Sequence, residues 1–492
     1  MVSAVPVARP APWEKVPDYD QLFVLITGAN SGIGLGIAQR LIDEFLATRS
    51  LTSHLILLPT TRSAHKSLET IRVLRAYATA AAQKPAPVLR SRAGGAAAYR
   101  WQDTVARIHV LSLPLDLCDL KGLYAFADAL CGSTVSNPEG LPDEYLTNVR
   151  VPRLDSVVYN AAYGGWEGVN WGGAIKSFFT KGLLETATYP DFKTALPTCI
   201  LNERSSYGYP EKPLLGEVFT ACTFGHYCLT HKLRPLLTRP RSSVLPPGRI
   251  IWSSSVEAHR NTFDVDDIQC LTHPAAYESA KRLTDIICLT STLPHVRPYA
   301  RSLLHDATAC TTPSRPGSKS TDVKDTTKSE DTALVGPRMY LSHPGIVAST
   351  LFPLPAFLFW LYQFALVLCR WAGSPWHTST GYRGAYAPVW LTMQEQSILD
   401  ELAAERIKWG SAYDRAGDSF VKPTEVEDWG WQGEVEDPEE DDTTGSLNKK
   451  CGRRYGARTV TREQLLGMEE LGAKCWREME RMRTQWEEIL EL

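Results

Sequence analysis

No two of the 11 cysteines in this 492-residue chain stand in a C-x-x-C spacing. That absence argues against a zinc ribbon or a disulfide framework, and scattered thiols fit a reducing, cytosol-facing location. Excess basic charge is missing too: 52 Lys and Arg face 55 Asp and Glu, a net charge of −3. A general nucleic-acid binder is expected to carry a basic stripe, so that class is set aside. The first 20 residues hold no long apolar run, which argues against a cleaved signal peptide. Apolar residues are plentiful elsewhere. They make up 43% of the chain against 22% charged, the profile of a globular protein with a sizeable core. The length suits one large domain with extensions, or two domains.

Residues 21–27, QLFVLIT, read as a buried strand that ends at a glycine turn. Further strands are expected at 54–58, 107–113, 154–159, 248–254 and 338–342. Helical patterns fall at 32–46, 64–84, 118–131, 216–237 and 275–293. Strands alternating with helices predict an α/β fold, a doubly wound parallel sheet of the Rossmann kind, over residues 20–350. Residues 90–100 read as a loop insertion. Two larger insertions are expected: 163–215, rich in Gly, Trp and Pro, to shape a substrate entrance, and 306–336, polar and low in complexity, as a disordered loop.

Residues 351–369, LFPLPAFLFWLYQFALVLC, are the most apolar segment and open a region, 351–400, of apolar segment and following helix. Nineteen residues with one Gln just suffice to span a bilayer. Pro353 and Pro355 at its start favour a stretch that dips into one leaflet or packs over a greasy substrate. Residues 430–492 read as an acidic linker and a charged helical tail, whose Leu and Met at helical spacing make an amphipathic packing face.

The chemistry begins with TGANSGIG, residues 27–34. Between a strand and a helix, Gly28, Gly32 and Gly34 let the backbone turn tightly and approach a pyrophosphate at a helix N-terminus. Thr27, Gly28, Asn30, Ser31, Gly32, Ile33 and Gly34 are the candidate cofactor contacts there. An enzyme specific for NAD usually ends its second strand with an acid. This chain has Thr61 and Arg62, then Lys66, so a 2′-phosphate is the expected partner and NADP (as NADPH) the expected cofactor. Asp116 (PLDLCD) and Asn160 (YNAAYGG) end the third and fourth strands, where open α/β sheets bind ligands.

RIIWSSSV ends the fifth strand, and AAYESAKR follows at 275–282. Tyr277 and Lys281 are four apart, on one helix face. About one such pair arises by chance in a chain of this size, so its context carries the weight. A neighbouring ammonium favours an ionised phenol, and a phenol tuned in this way passes a proton near neutral pH. A strand-end serine, Ser255 or Ser254, orients a carbonyl by hydrogen bonding. No metal site is expected.

TGANSGIG, YNAA, SSS and YESAK, with HPGIVAST at 343–350, resemble the short-chain dehydrogenase/reductases over residues 20–350. The resemblance implies Tyr277 as proton donor to a ketone, with Lys281 lowering its pKa and holding the nicotinamide ribose. It implies Ser255, with Ser254 next, as the carbonyl-orienting serine. Pro344, Gly345, Ile346 and Thr350 would flank the nicotinamide carboxamide. FTACTFGHYCLTHKLRPLL, LFPLPAFLFWL and AGSPWHTSTGYRGA are further similar to the fungal 3-keto-steroid reductases of ergosterol synthesis. That likeness implies NADPH-dependent reduction of a 3-ketosterol to a 3β-hydroxysterol during C-4 demethylation. It also implies residence at the endoplasmic reticulum membrane or on lipid droplets, facing the cytosol, in company with other C-4 demethylation enzymes. One departure stands out: Cys222 replaces an asparagine of the family's N-x-x-G-H-Y pattern, so the proton relay is expected to be weaker or differently wired. His226 reads as a packing residue. Two alternatives stay open, a reductase of another lipid carbonyl (a retinoid or a long-chain keto-lipid) and a catalytically weak, cofactor-binding scaffold of a membrane enzyme complex.

Overall fold

Strand β1, Gln21–Ile26, is buried except at Leu22. Apolar residues on both faces suit a central parallel strand covered on either side. The computed structural model describes residues 10–141, 145–190, 192–195, 198–304, 333–348, 356–436 and 459–492. In it β1 pairs in parallel with β2 (His54–Thr61), and β2 with β3 (Ile108–Val110). On its other edge β1 meets β4 (Ser156–Tyr159). A separate antiparallel hairpin, β5 (Trp166–Val169) and β6 (Lys193–Ala195), follows. The main sheet continues from β4 through β7 (Arg249–Ser253), β8 (Arg338–His343), β9 (Lys408–Tyr413) and β10 (Ser419–Thr424). Every pairing along this path is parallel except β9 with β10. Strand order therefore reverses at β1, which opens a crevice beyond the carboxyl ends of β1 and β4.

Helices cover both faces. α1 (Gly32–Thr48) and α2 (Ala64–Gln83) bury Ile37, Leu41, Phe45 and Leu74 against one face. α3 (Leu120–Gly132) lies on the other, with α5 (Gly225–Leu237) and α6 (Ala276–Thr290), through Leu123, Leu229, Leu233, Leu283 and Ile287. Each such side chain contributes about 2 kcal/mol by leaving water. Local sequence starts these helices: Ser63 Oγ accepts from Lys66 N at α2, and Asp119 Oδ1 from Gly122 N at α3. A kinked helix, α4 (Trp171–Thr188), and α7 (Ala356–Trp371) pack against each other. α8 (Tyr386–Met393) joins α1 and α2 on their face.

Several expectations need correction. The sheet does not stop at residue 350, because β9 and β10 extend it. β9 reads KWGSAY and is buried throughout, yet its Lys, Gly and Ser hide it from a search for apolar runs. The 90–100 stretch is not all loop: a short helix covers Pro87–Arg92. The C-terminal segment forms the helix with an amphipathic packing face that the sequence led us to expect. α9 (Arg462–Leu490) starts with a capping box of Thr461 and Gln464 and packs on α6. There Trp476 Nε1 donates to the Ile287 carbonyl at 3.1 Å, and Met479, Met482 and Trp486 are buried. Residues 305–332, most of the expected polar loop, lie outside the described residues; just beyond them Leu334–Val335 pairs with Arg239–Pro240. Residues 351–355 also lie outside. Among the described residues no helix is long and apolar enough to cross a membrane; α7 has 16 residues.

Candidate active site

The turn after β1 is held from two sides. Gly28 and Gly32 take φ of +66° and +55°, a region that side chains avoid. A Cβ on Gly34 would lie 2.3 Å from the Gly28 carbonyl oxygen and 2.6 Å from Asn160 Nδ2, so only glycine fits. Asn160 donates from Nδ2 to the carbonyls of Thr27 (3.1 Å) and Gly28 (3.3 Å). Its amide thus supports the turn. Thr27 Oγ1 accepts from the N–H groups of Asn160 and Ala161, at 3.0 and 3.1 Å, and lies 2.9 Å from His226 Nε2. His226 Nδ1 faces the Cys222 carbonyl at 3.2 Å. A carbonyl only accepts, so Nδ1 carries the proton and Nε2 accepts from Thr27. Burial pushes the imidazole down to about 3, and it stays neutral. The expected packing histidine is therefore also the tie between α5 and the glycine turn.

Asn30, Ser31 and Gly32 are exposed at the start of α1, with Ile33 half-buried behind them. Arg62 is exposed just past β2, and Lys66 is half-buried in the first turn of α2. Asp116 is half-buried; it accepts from Cys118 N at 3.0 Å and from the Tyr207 hydroxyl at 3.4 Å. The cradle of positive-φ glycines at a helix N-terminus, with cations past β2, fits a dinucleotide phosphate. Thr350 lies outside the described residues.

Past β7, three consecutive serines are each gripped differently. Lys281 Nζ donates to the Ser253 carbonyl at 2.6 Å. Ser254 Oγ donates to Asp285 Oδ1. Lys408 Nζ donates to the Ser255 carbonyl at 2.7 Å and to Asp285 Oδ2 at 2.6 Å. Ser254 is thereby corrected as a carbonyl-orienting residue, since its hydroxyl is committed to Asp285. The Ser255 hydroxyl instead meets Tyr277. Lys281 Nζ lies 5.6 Å from the Tyr277 ring centre. Burial pushes the Tyr277 phenol well above its ordinary value, and the charges of Cys222, Glu257 and Glu278 add to this, while Ser255 opposes. Burial also lowers Lys281, with Cys222 and Asp285 opposing. Desolvation is the largest influence on the phenol and favours its protonated form.

Cys222 sits in a π-helical turn, Thr220–Phe224, ahead of α5. Its Sγ donates to the Tyr163 carbonyl and accepts from the Tyr163 N–H, both at 3.4 Å. It also packs in a small cluster with Tyr277 and Ala280. The thiol in the asparagine position therefore pins the loop after β4, and burial raises its pKa.

Ser255 and Tyr277 open on a cavity of about 400 Å³. Its walls are mostly apolar: Trp166, Val169, Leu183 and Phe192 from the insertion, Pro344 and Ile346 after β8, and Leu361 and Ala365 from α7. Gly345 belongs to the same wall, and its φ of +71° and a Cβ that would fall 2.3 Å from the Trp376 carbonyl oxygen again require glycine. Sequence reasoning missed Lys193, Glu257, Asp285 and Lys408. None of them belongs to a recognisable motif, and only the fold brings them to the site.

The chain is 56% identical over 483 residues to a 3-keto-steroid reductase of Gibberella zeae, covering 98% of this chain and 97% of that one. The chain belongs to the 3-keto-steroid reductases. It is also 36% identical to the 3-keto-steroid reductase of Aspergillus fumigatus, over 96% of this chain and 95% of that one. No protein-family model matches. Among solved structures, a 3-oxoacyl-(acyl-carrier protein) reductase from Brucella melitensis in complex with NAD aligns at 14% identity and a TM-score of 0.37, over 78% of this chain and 93% of that one. The glycine turn, Ser255, Tyr277 and Lys281 of this 3-keto-steroid reductase family member lie around one crevice.

Proposed function

We propose that the protein reduces the ketone of a 3-ketosterol to the 3β-alcohol with NADPH, during sterol C-4 demethylation in ergosterol synthesis. The observation that carries this reading is the meeting of Tyr277 and Ser255 at an apolar cavity beside the glycine turn. The names of the Gibberella and Aspergillus relatives support the substrate class. NADPH when bound supplies the hydride. Ser255 donates a hydrogen bond that orients the carbonyl. Tyr277, kept protonated by burial, gives its proton to the carbonyl oxygen. Lys281, anchored on the Ser253 carbonyl, keeps a cation near the resulting phenolate. The α1 N-terminus and its glycines receive the pyrophosphate. Pro344, Gly345 and Ile346 flank the nicotinamide, Asp116 meets the adenine side, and Arg62 and Lys66 take the 2′-phosphate in preference to a bare ribose.

The test is NADPH oxidation by the detergent-solubilised full chain with a 3-ketosterol. Tyr277→Phe is expected to lower kcat by about 10²- to 10⁴-fold with NADPH affinity unchanged. Wild-type turnover in that variant would sink the assignment.

We also propose that the protein works on a membrane surface, cytosol-facing on the endoplasmic reticulum, beside other C-4 demethylation enzymes. Supporting this, α4 exposes Trp171, Ile175, Phe178 and Phe179, and the adjoining α7 exposes Trp360, Leu361 and Phe364. So large an apolar face on two neighbouring helices suits insertion into one leaflet. It also borders the cavity, so a membrane-dissolved sterol enters without crossing water. Phosphatidylcholine vesicles are expected to carry the wild type upward in flotation but to leave the Phe179→Ser, Trp360→Ser double variant behind. Equal flotation of both would place the contact elsewhere.

A further inference from the structure

The insertion carries a buried cation into this greasy cavity. Lys193 Nζ, on β6, donates to Glu257 Oε2 at 2.7 Å and to Glu278 Oε1 at 2.6 Å. The three side chains are 7%, 12% and 13% exposed. Glu257 stands two residues beyond Ser255, and Glu278 directly follows Tyr277. One ammonium thus joins the insertion to both segments that bear the reacting pair. The same ammonium lies 4.1 Å from the Trp166 ring centre, and Trp166 meets Tyr277 edge-on with centres 4.7 Å apart. Trp166 and Lys193 belong to opposite strands of one hairpin, in which Val169 faces Lys193. α4 is attached to that hairpin: Asn170 Oδ1 caps it by accepting from Gly173 N, and Asn170 N donates to the Phe192 carbonyl at 2.8 Å. The insertion's share of the cavity wall therefore follows the hairpin wherever it docks.

A buried ion cluster is weak evidence of stabilisation, because desolvation offsets most of its attraction. Its directional bonds do specify one docking geometry. We propose that Lys193 is a positioning residue that latches the inserted hairpin onto the catalytic segments, setting Trp166 against Tyr277 and completing the wall around the substrate. The proposal takes its ligand from the 3-ketosterol reading, while the docking itself is independent of it.

Full-length Lys193→Met is compared with wild type and with Lys193→Arg. KM for the 3-ketosterol is expected to rise about tenfold while kcat stays within about threefold. The NADPH dissociation constant, read by fluorescence, stays unchanged. Trypsin cleavage in α4, at Lys176 or Lys181, is expected to quicken about tenfold as the hairpin opens locally, and Lys193→Arg restores both values toward wild type. If Lys193→Met does not fold, Glu257→Gln with Glu278→Gln removes the partners instead and is read by the same cleavage. Unchanged KM and unchanged cleavage overturn the proposal. So does a parallel loss of NADPH affinity, which marks a general fold residue. If the wild type fails to reduce the 3-ketosterol, the functional reading falls and the cleavage rates still decide the latch.

Discussion

Arg62 illustrates how far a single residue carries. It is exposed at the end of β2, where its guanidinium is free to take a bidentate grip on a 2′-phosphate. Arg62→Ala is expected to raise KM for NADPH about tenfold, near 1.4 kcal/mol, and to leave that for NADH unchanged. Steady-state kinetics with both cofactors checks this, and equal losses would refute the NADP preference. The glycines, Tyr277 and Lys281 were legible because their geometry is local: a turn, or one step along a helix face. The choice between Ser254 and Ser255 was not. It depends on Asp285, 31 residues away in sequence, which captures the Ser254 hydroxyl. The upward push on the Tyr277 phenol was not legible either, because it comes first from burial by segments remote in sequence.

At the scale of elements, β9 acts on a strand end it does not neighbour in sequence. Lys408 fixes the Ser255 backbone through its carbonyl and is itself neutralised by Asp285. Lys408→Met leaves Asp285 buried and unpaired, which is expected to cost about 3–5 kcal/mol of stability. Adding Asp285→Asn removes the stranded charge, and the double variant is expected to regain much of that loss in chemical denaturation. Additive losses would contradict the pairing. The alternating strands and helices up to β8 were readable from apolar runs. β9 and β10 were not, because a buried strand that carries a lysine resembles a polar loop until its ion pair is known. The insertion was visible as a composition change, but its hairpin and kinked helix were not.

The whole molecule adds a pH dependence. Burial lowers His109 and His226 to about 3, and His231 and His377 to about 4. The folded state keeps these rings neutral, whereas the unfolded chain binds protons below about 6.5. Their contribution is fully present above that pH and is lost as pH falls, toward 4 for His231 and His377 and toward 3 for His109 and His226, by up to about 1.4 kcal/mol per pH unit for each ring. Thermal unfolding is therefore expected at a clearly lower temperature at pH 5 than at pH 7, and His226→Gln should lessen the difference. An unchanged midpoint would show that protons reach these rings without unfolding. α9 belongs to this scale as well, since Trp476 closes the face of α6 from the far end of the chain.

By itself the sequence determined the doubly wound core up to β8, the cofactor turn and the tyrosine–lysine pair, because each rests on short-range periodicity or on backbone freedom at named glycines. The tertiary structure alone decided which serine faces the tyrosine, how Cys222 and His226 are used, that the C-terminal helix packs on α6, and that Lys193 meets Glu257 and Glu278. Those outcomes depend on contacts between residues tens to hundreds of positions apart, and on the loss of water that comes only when distant segments close together.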